Sequence, residues 1–243
     1  IGDFGDLKRM IDFMSCTNQR VLQLLPINDT TSSGTWKDSY PYSCVSVFAL
    51  HPQYINLNAL PSLKDKEQYL RFQKLQKELN SLEHVDYERV NCAKNEYLSL
   101  LYKQEGTKIL GSKEFSVFFE NNQEWLIPYA LYCSLRDKYK TPLCSNWGEY
   151  REWNDSWRTT LSNPKSKDYK AVAYYYFVQY LLFSQMKDAH AYALSKQVIL
   201  KGDIPIGVDR HSCDVWVEPK YFNLNSQAGA PPDAFSTNGQ NWG

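Results

Sequence analysis

At 243 residues the chain is long enough to bury a sizeable core, in one large domain or two small ones. Lysine and arginine total 27 against 27 aspartates and glutamates, so no global basic footprint points to nucleic acid or an anionic membrane. A hydrophobic share of 43% is ordinary for a soluble globular protein, and no apolar run approaches the roughly 18 residues of a membrane span.

In chain order, residues 1–5 read as a loop, and Asp6 is placed to cap a helix carrying Leu7, Met10, Ile11 and Met14 on one stripe. The apolar run VLQLLPI at 21–27 suits a parallel strand buried on both faces. A polar loop, 28–42, leaves the end of that strand. It holds Asp29, Trp36, Asp38, Tyr40 and Tyr42, more aromatic and acidic than a plain linker. Helical patterns follow at 64–79, 88–102 and 123–136, and no convincing strand lies between Pro61 and Pro164. Helical spacing would set Trp153 and Trp157 on one face, where core packing is the commoner role and a sugar platform the rarer one. Residues 167–196 read as one long helix, apolar most of the way round. It feeds a second strand at 198–208, which releases Asp209, Arg210 and His211 at its end. Strand–helix–strand alternation around a helical section argues for an α/β fold.

Aromatic residues make up 15%, with 18 Tyr and 7 Trp. Sugar faces pack on such rings while their edges hydrogen-bond, although for any single ring core packing is the commoner role. The six cysteines are widely spread with no C-x-x-C pair, which fits reduced thiols, and no metal-ligand spacing appears among Cys and His. No glycine-rich loop that cradles phosphate is present. Nothing calls for a metal, nucleotide or other cofactor.

The last 42 positions carry a resemblance. GDIPIGVD, then D-V-W, AGAPPDAF and NGQNWG, in that order, resemble the 4-alpha-glucanotransferases (amylomaltases, or disproportionating enzymes) of glycoside hydrolase family 77. The match returns in GDFGDL at 2–7, LLPIN at 24–28, SYPYS at 39–43, and FVQYL at 177–181 through Gln185. The resemblance implies a (β/α)8 TIM-type barrel with a helical insertion, of which this chain holds only about half. It divides the chain into first barrel βα units at 1–61, the helical insertion at 62–165, and a barrel helix, strand and the start of an active-site lid loop at 166–243. Ile1 in place of Met also suggests a piece of a longer protein. The spelling PINDTTSSGTWKDSYPYS is similar to the maltose-using branch typified by the plant cytosolic enzyme, which carries starch-binding modules before the barrel.

The family implies a retaining, cytoplasmic enzyme that transfers α-1,4-glucan or glucosyl units between maltose, maltodextrins or other α-1,4-glucans through a covalent glycosyl-enzyme. Such chemistry needs two carboxylates about 5–5.5 Å apart. In the family the nucleophilic Asp lies in an Arg-x-Asp-His segment that follows NGQNWG, and these 243 residues contain no such segment. None of the catalytic residues is therefore expected here, and the chain alone is expected to be inactive. Asp203, Asp209, Asp214 and Asp233 cluster in sequence without a compelling pair, and a structural hydrogen bond is the commoner job for Asp203.

The substrate-contact expectations are these. Tyr42, from the family's Pro-Tyr pair, stacks on the sugar undergoing transfer, with Asp38 and Tyr40 completing the wall. Asp209 ends its strand, and His211 contacts the donor sugar where many members carry Asp and the related alpha-amylases place a His. Asn241 and Trp242 belong to a loop over the acceptor subsites, hinged at Gly239 and Gly243, whose closure would exclude water. Two other readings stay open: an amylase-like α-glucan hydrolase, and a non-catalytic glucan-binding module.

Overall fold

The computed structural model describes residues 2–242 and opens on helix α1 (Phe4–Cys16). Its N-cap is Asp3, not Asp6: the Asp3 carboxylate accepts from the amides of Gly5 and Asp6 at 2.8 and 3.1 Å. Asp6, at the third helical position, accepts in return from the Asp3 amide at 3.1 Å. Two orphan donors are thus satisfied reciprocally. Ile11 and Met14 face inward against Ala193 and Val198.

Strand β1 (Val21–Gln23) pairs in parallel with β2 (Ile199–Lys201), Val21 opposite Ile199 and Gln23 opposite Lys201. Both strands are far shorter than the apolar runs at 21–27 and 198–208 suggest. Regular pairing needs a partner along its whole length, and Pro26 and Pro205 have no amide hydrogen to offer one. Nor are the strands buried on both faces: Val21 is 52% exposed and Ile199 59%.

Between the strands the chain is helical: α2 (Lys66–Asn80), α3 (Tyr87–Leu110), α4 (Lys113–Tyr139), the short α5 (Trp157–Thr160) and α6 (Tyr169–Ser195). Asp65, Asp86 and Ser112 cap α2, α3 and α4 through their side-chain oxygens. Helix α6 is the central element. Tyr176, Phe177, Val178 and Gln179 are four consecutive buried residues, so this stretch has no solvated face. One side packs with α4, where Tyr129 and Tyr132 are buried, and with Trp147 beyond its end. The other packs with α3 and the 50–55 segment through Phe177, Leu181, Leu98 and Ile55. The one buried polar side chain among them, Gln179, accepts from Leu50 N at 2.9 Å and donates to Leu50 O at 2.8 Å, which satisfies both ends of its amide.

Trp147, Trp153, Trp157 and Trp216 settle as packing. Helix α5 begins only at Trp157, so Trp153 and Trp157 do not share a helical face; both meet Trp216 of α7 (Cys213–Val217), with centroids at 5.0 and 6.0 Å. Trp147 meets the same ring edge-on at 5.4 Å and donates its indole N–H to Thr141 O at 3.0 Å. Beyond α7, β3 (Gly229–Ala230) and β4 (Gln240–Asn241) pair antiparallel in a small hairpin. All six cysteines are free thiols, and no helix among the described residues is long and apolar enough to cross a membrane.

Trp147 is fully buried at the junction of α4, α6 and α7. Trp147→Ala is expected to lower unfolding stability by about 3–5 kcal/mol, measured by urea denaturation of the protein carrying this chain.

Candidate functional site

The two loops that leave the C-terminal ends of β1 and β2 lock onto each other. Asp209 N donates to Cys44 O at 3.0 Å, and Cys213 N donates to Val45 O at 2.8 Å. Side chains reinforce the backbone seam: the Tyr42 phenol donates to Asp203 Oδ2 at 2.7 Å, and Ser43 Oγ to Asp209 Oδ2 at 3.3 Å. Val47 N donates to Asp214 Oδ2 at 2.8 Å, and burial pushes that carboxyl upward. Loops at the carboxyl ends of parallel strands are where open and closed α/β sheets place ligands. The seam makes Tyr40, Tyr42, Asp203, Asp209 and His211 one cluster.

Within it, Tyr40 is 51% exposed and its ring lies 5.6 Å from that of Tyr42 at 53°, a tilted aromatic pair. The hydrogen bond to Asp203 holds the Tyr42 phenol above its usual pKa, so it stays a donor and the ring is pinned at its outer end. Asp209 Oδ1 accepts from His211 N at 2.7 Å, a short-range turn that leaves the imidazole exposed. From below, the Tyr132 phenol donates to His211 O at 2.6 Å.

Asp38 sits differently from Tyr40 and Tyr42. It is buried, and its carboxylate accepts from the amides of Ser32, Ser33 and Gly34 at 2.7–3.1 Å and from Ser33 Oγ at 2.9 Å. Gly34 takes φ +73° to close this ring of donors. The carboxylate faces its own loop, so Asp38 holds residues 32–34 rather than projecting beside Tyr40 and Tyr42.

A second layer, which sequence reasoning missed, braces the loop from the helices. Tyr129 of α4 donates to Asp29 Oδ2 at 2.7 Å and accepts from Gln179 of α6 at 3.2 Å. Burial drives the Tyr129 phenol well above its usual pKa, which keeps that donor proton in place. Arg136 donates to Thr31 O at 2.6 Å. His51 and Tyr87 close the far side: the Tyr87 phenol donates to Asp38 O at 2.9 Å, and its oxygen lies 2.9 Å from His51 Nε2. With the phenol proton committed to Asp38, Nε2 must be the protonated nitrogen. Nδ1 then accepts from Gln53 N at 3.1 Å, which fixes a neutral imidazole. Burial lowers its pKa in agreement. No periodicity or motif signals these contacts, since each joins residues dozens of positions apart.

Asn241 and Trp242 lie in the β3–β4 hairpin. Asn241 Nδ2 donates to Gln227 Oε1 at 2.7 Å, Trp242 N to Ala228 O at 2.9 Å, and the half-exposed indole to Gln240 Oε1 at 3.0 Å. Gly239 takes φ +70°, and a Cβ there would stand 2.6 Å from Ala230 O, so the turn requires glycine. Gly243, the other expected hinge, lies outside the described residues. At the hairpin's tip Phe235 is 99% exposed, a ring the sequence reading passed over. Asp233 caps that tip, accepting from Phe235 N and Ser236 N at 2.8 and 2.7 Å. Among the described residues no group of three or more His, Cys, Asp or Glu is arranged to hold a metal.

The family model for glycoside hydrolase 77, 4-alpha-glucanotransferase, matches residues 1–243. The chain belongs to that family. A 4-alpha-glucanotransferase of rice (Oryza sativa subsp. japonica), DPE2, is 42% identical over all of this chain, which spans 26% of that protein. One from Chlamydia muridarum is 35% identical, again over the whole chain and 44% of its own length. The amylomaltase of Streptococcus agalactiae, solved in complex with acarbose, superposes over 99% of this chain and 48% of its own with a TM-score of 0.72 at 23% identity, which shows a shared fold. The family's motifs at 39–43 and 202–209 therefore coincide with the two loops that the seam joins.

Two outcomes follow from this geometry. Asp38→Ala is expected to raise amide hydrogen exchange at residues 32–34 and to cost about 1 kcal/mol locally, because part-buried amides lose their charged acceptor. His51 has a folded pKa below its ordinary 6.5, so its contribution to stability is complete above that value and is lost as pH falls through the folded one. The thermal midpoint should fall between pH 7.5 and 5.5, and His51→Asn, which keeps an acceptor for Gln53 N, should show a smaller fall.

Proposed function

We propose that the protein carrying this chain is a retaining 4-alpha-glucanotransferase acting on maltose, maltodextrins or other α-1,4-glucans, and that residues 1–243 form the N-terminal part of its catalytic barrel. The observation that carries the reading is the Tyr42–Asp203 bond, which seats the aromatic ring where two family-matching loops meet at the C-terminal ends of parallel strands. Strands β1 and β2 are then neighbouring staves, and the exposed faces of Val21, Ile199, Ile204 and Ile206 are the surfaces that further staves cover. On this reading the stretch 62–165 is the helical insertion.

Tyr42 stacks on the transferred sugar, Tyr40 extends the wall, and Asp209 and the exposed His211 imidazole contact donor hydroxyls. Asp38 serves the wall indirectly by holding its loop. Asn241 and Trp242, with Phe235 at the tip, form the lid over the acceptor, whose closure delays water and favours transfer over hydrolysis. The two catalytic carboxylates are assigned to sequence outside these residues, since no Arg-x-Asp-His segment occurs here. Free thiols throughout suit a cytoplasmic location.

Thin-layer chromatography of maltose and maltotriose incubations tests this, with the full-length protein beside residues 1–243. The expected result is glucose plus a ladder of longer maltodextrins from the full chain and none from the shorter one. Glucose without longer products would make it a hydrolase, and a ladder from residues 1–243 would overturn the carboxylate assignment. In the full-length enzyme, Tyr42→Phe keeps the ring but loses the Asp203 anchor and should lower kcat/KM by up to about tenfold. Tyr42→Ala should lower it by about 100-fold.

A further inference from the structure

Helix α4 carries a polar stripe through the core. Tyr129, Tyr132 and Arg136 stand at i, i+3 and i+7, the spacing of one helical face, and all three are buried. A face that only packed would be apolar at these positions. Taking a guanidinium and two hydroxyls out of water is costly unless each finds a partner.

The partners lie on the two loops that meet at the seam. Tyr129 donates to Asp29 Oδ2 at 2.7 Å and Arg136 to Thr31 O at 2.6 Å, both in the loop after β1. Tyr132, between them on the stripe, donates to His211 O at 2.6 Å, in the loop after β2. Burial holds both phenols well above their usual pKa, so each remains a donor. Arg136 also donates to Asp137 Oδ1 at 3.1 Å and to the Tyr175 phenol oxygen at 3.3 Å, which completes its set of partners.

The stripe begins one residue after Pro128, which offers no amide to Glu124 O. Arg158 of α5 donates to that carbonyl instead at 3.1 Å, and the neighbouring Trp157 stacks on Trp216 of α7 at 6.0 Å. Helix α5 thus ties the start of the stripe to the helix that follows His211.

Two bodies joined along one edge can still swing about it. The seam is such an edge, a short stretch where Cys44 and Val45 accept from Asp209 and Cys213. A third body bonded to both loops removes the swing, and α4 is that body. It holds the first loop at 29 and 31 and the second at 211.

We propose that Tyr132 is a positioning residue of the transfer reaction, and that the α4 stripe sets the angle between the tyrosine wall and His211; the role given to His211 rests on the transferase reading above. Tyr132 is fully buried, so it acts through the backbone of His211, from which the exposed imidazole projects. Tyr129 does the same for the loop that carries Tyr42. Contacts to the sugar undergoing transfer count in the transition state, where small misplacements lower the rate steeply.

A double-mutant cycle in the full-length protein tests it, read as kcat/KM for maltotriose well below each variant's thermal midpoint. Tyr132→Phe keeps the ring and removes the donor; it is expected to lower kcat/KM by about five- to tenfold, mainly through kcat. In a His211→Ala background the same substitution should lower it by less than about twofold, because the residue it acts through is gone. Equal losses in the two backgrounds would overturn the inference and leave the transferase reading standing. So would a lowered thermal midpoint with kcat/KM unchanged, the mark of a purely packing role. Should Tyr132→Phe fail to fold, Tyr129→Phe against Tyr42→Ala gives an independent cycle, with the same expected shortfall and the same overturning result. No maltodextrin products from the unsubstituted full-length protein would overturn the transferase reading, and the inference with it.

Discussion

The seam between the two loops is the constraint on which the site depends. Asp209 and Cys213 donate their backbone amides to Cys44 and Val45, residues more than 160 positions earlier, and Tyr42–Asp203 and Ser43–Asp209 bond beside them. Short parallel strands alone would not hold two irregular loops in register. The strands bring the loop bases together, and backbone bonds beyond the strand ends continue the pairing in a form that leaves side chains free to project.

Loops are the mobile part of most folds, and a binding surface must be stiff to be selective. The stiffness here comes from buried polar contacts supplied by helices. Asp29 meets Tyr129 of α4, Thr31 meets Arg136, Leu50 meets Gln179 of α6, and Asp38 O meets Tyr87 of α3. Each buried polar atom named has a partner, and in a low-dielectric setting an unmet one would be costly. The helical region thereby acts on the tyrosine wall without touching what the wall faces.

Much of this was legible in the chain. Helical periodicity marked α1, α2, α3, α4 and α6, and motif spelling marked the family and the two loops. Other features were misread for identifiable reasons. Asp6 looks like a cap because it precedes the apolar stripe, yet Asp3 begins the helix three residues earlier and Asp6 answers it. The runs at 21–27 and 198–208 are apolar throughout, but apolar character does not supply a pairing partner, and only Val21–Gln23 and Ile199–Lys201 have one. Trp153 and Trp157 sit at helical spacing, but Trp153 is outside α5, and it is Trp216 that gathers them.

Asp38 shows where the boundary lies. Its sequence neighbours place it beside Tyr40 and Tyr42, and nothing in the spelling KDSYPY says which way its carboxylate turns. Gly34 at positive φ folds the 32–34 amides back over it, so the charge is met from inside the loop. The sequence by itself determined local preference: where helices run, where glycine is needed, and which family the motifs spell. Only the tertiary structure decided partners, because a hydrogen bond between Tyr42 and Asp203, or Tyr129 and Asp29, depends on two distant segments arriving at one place.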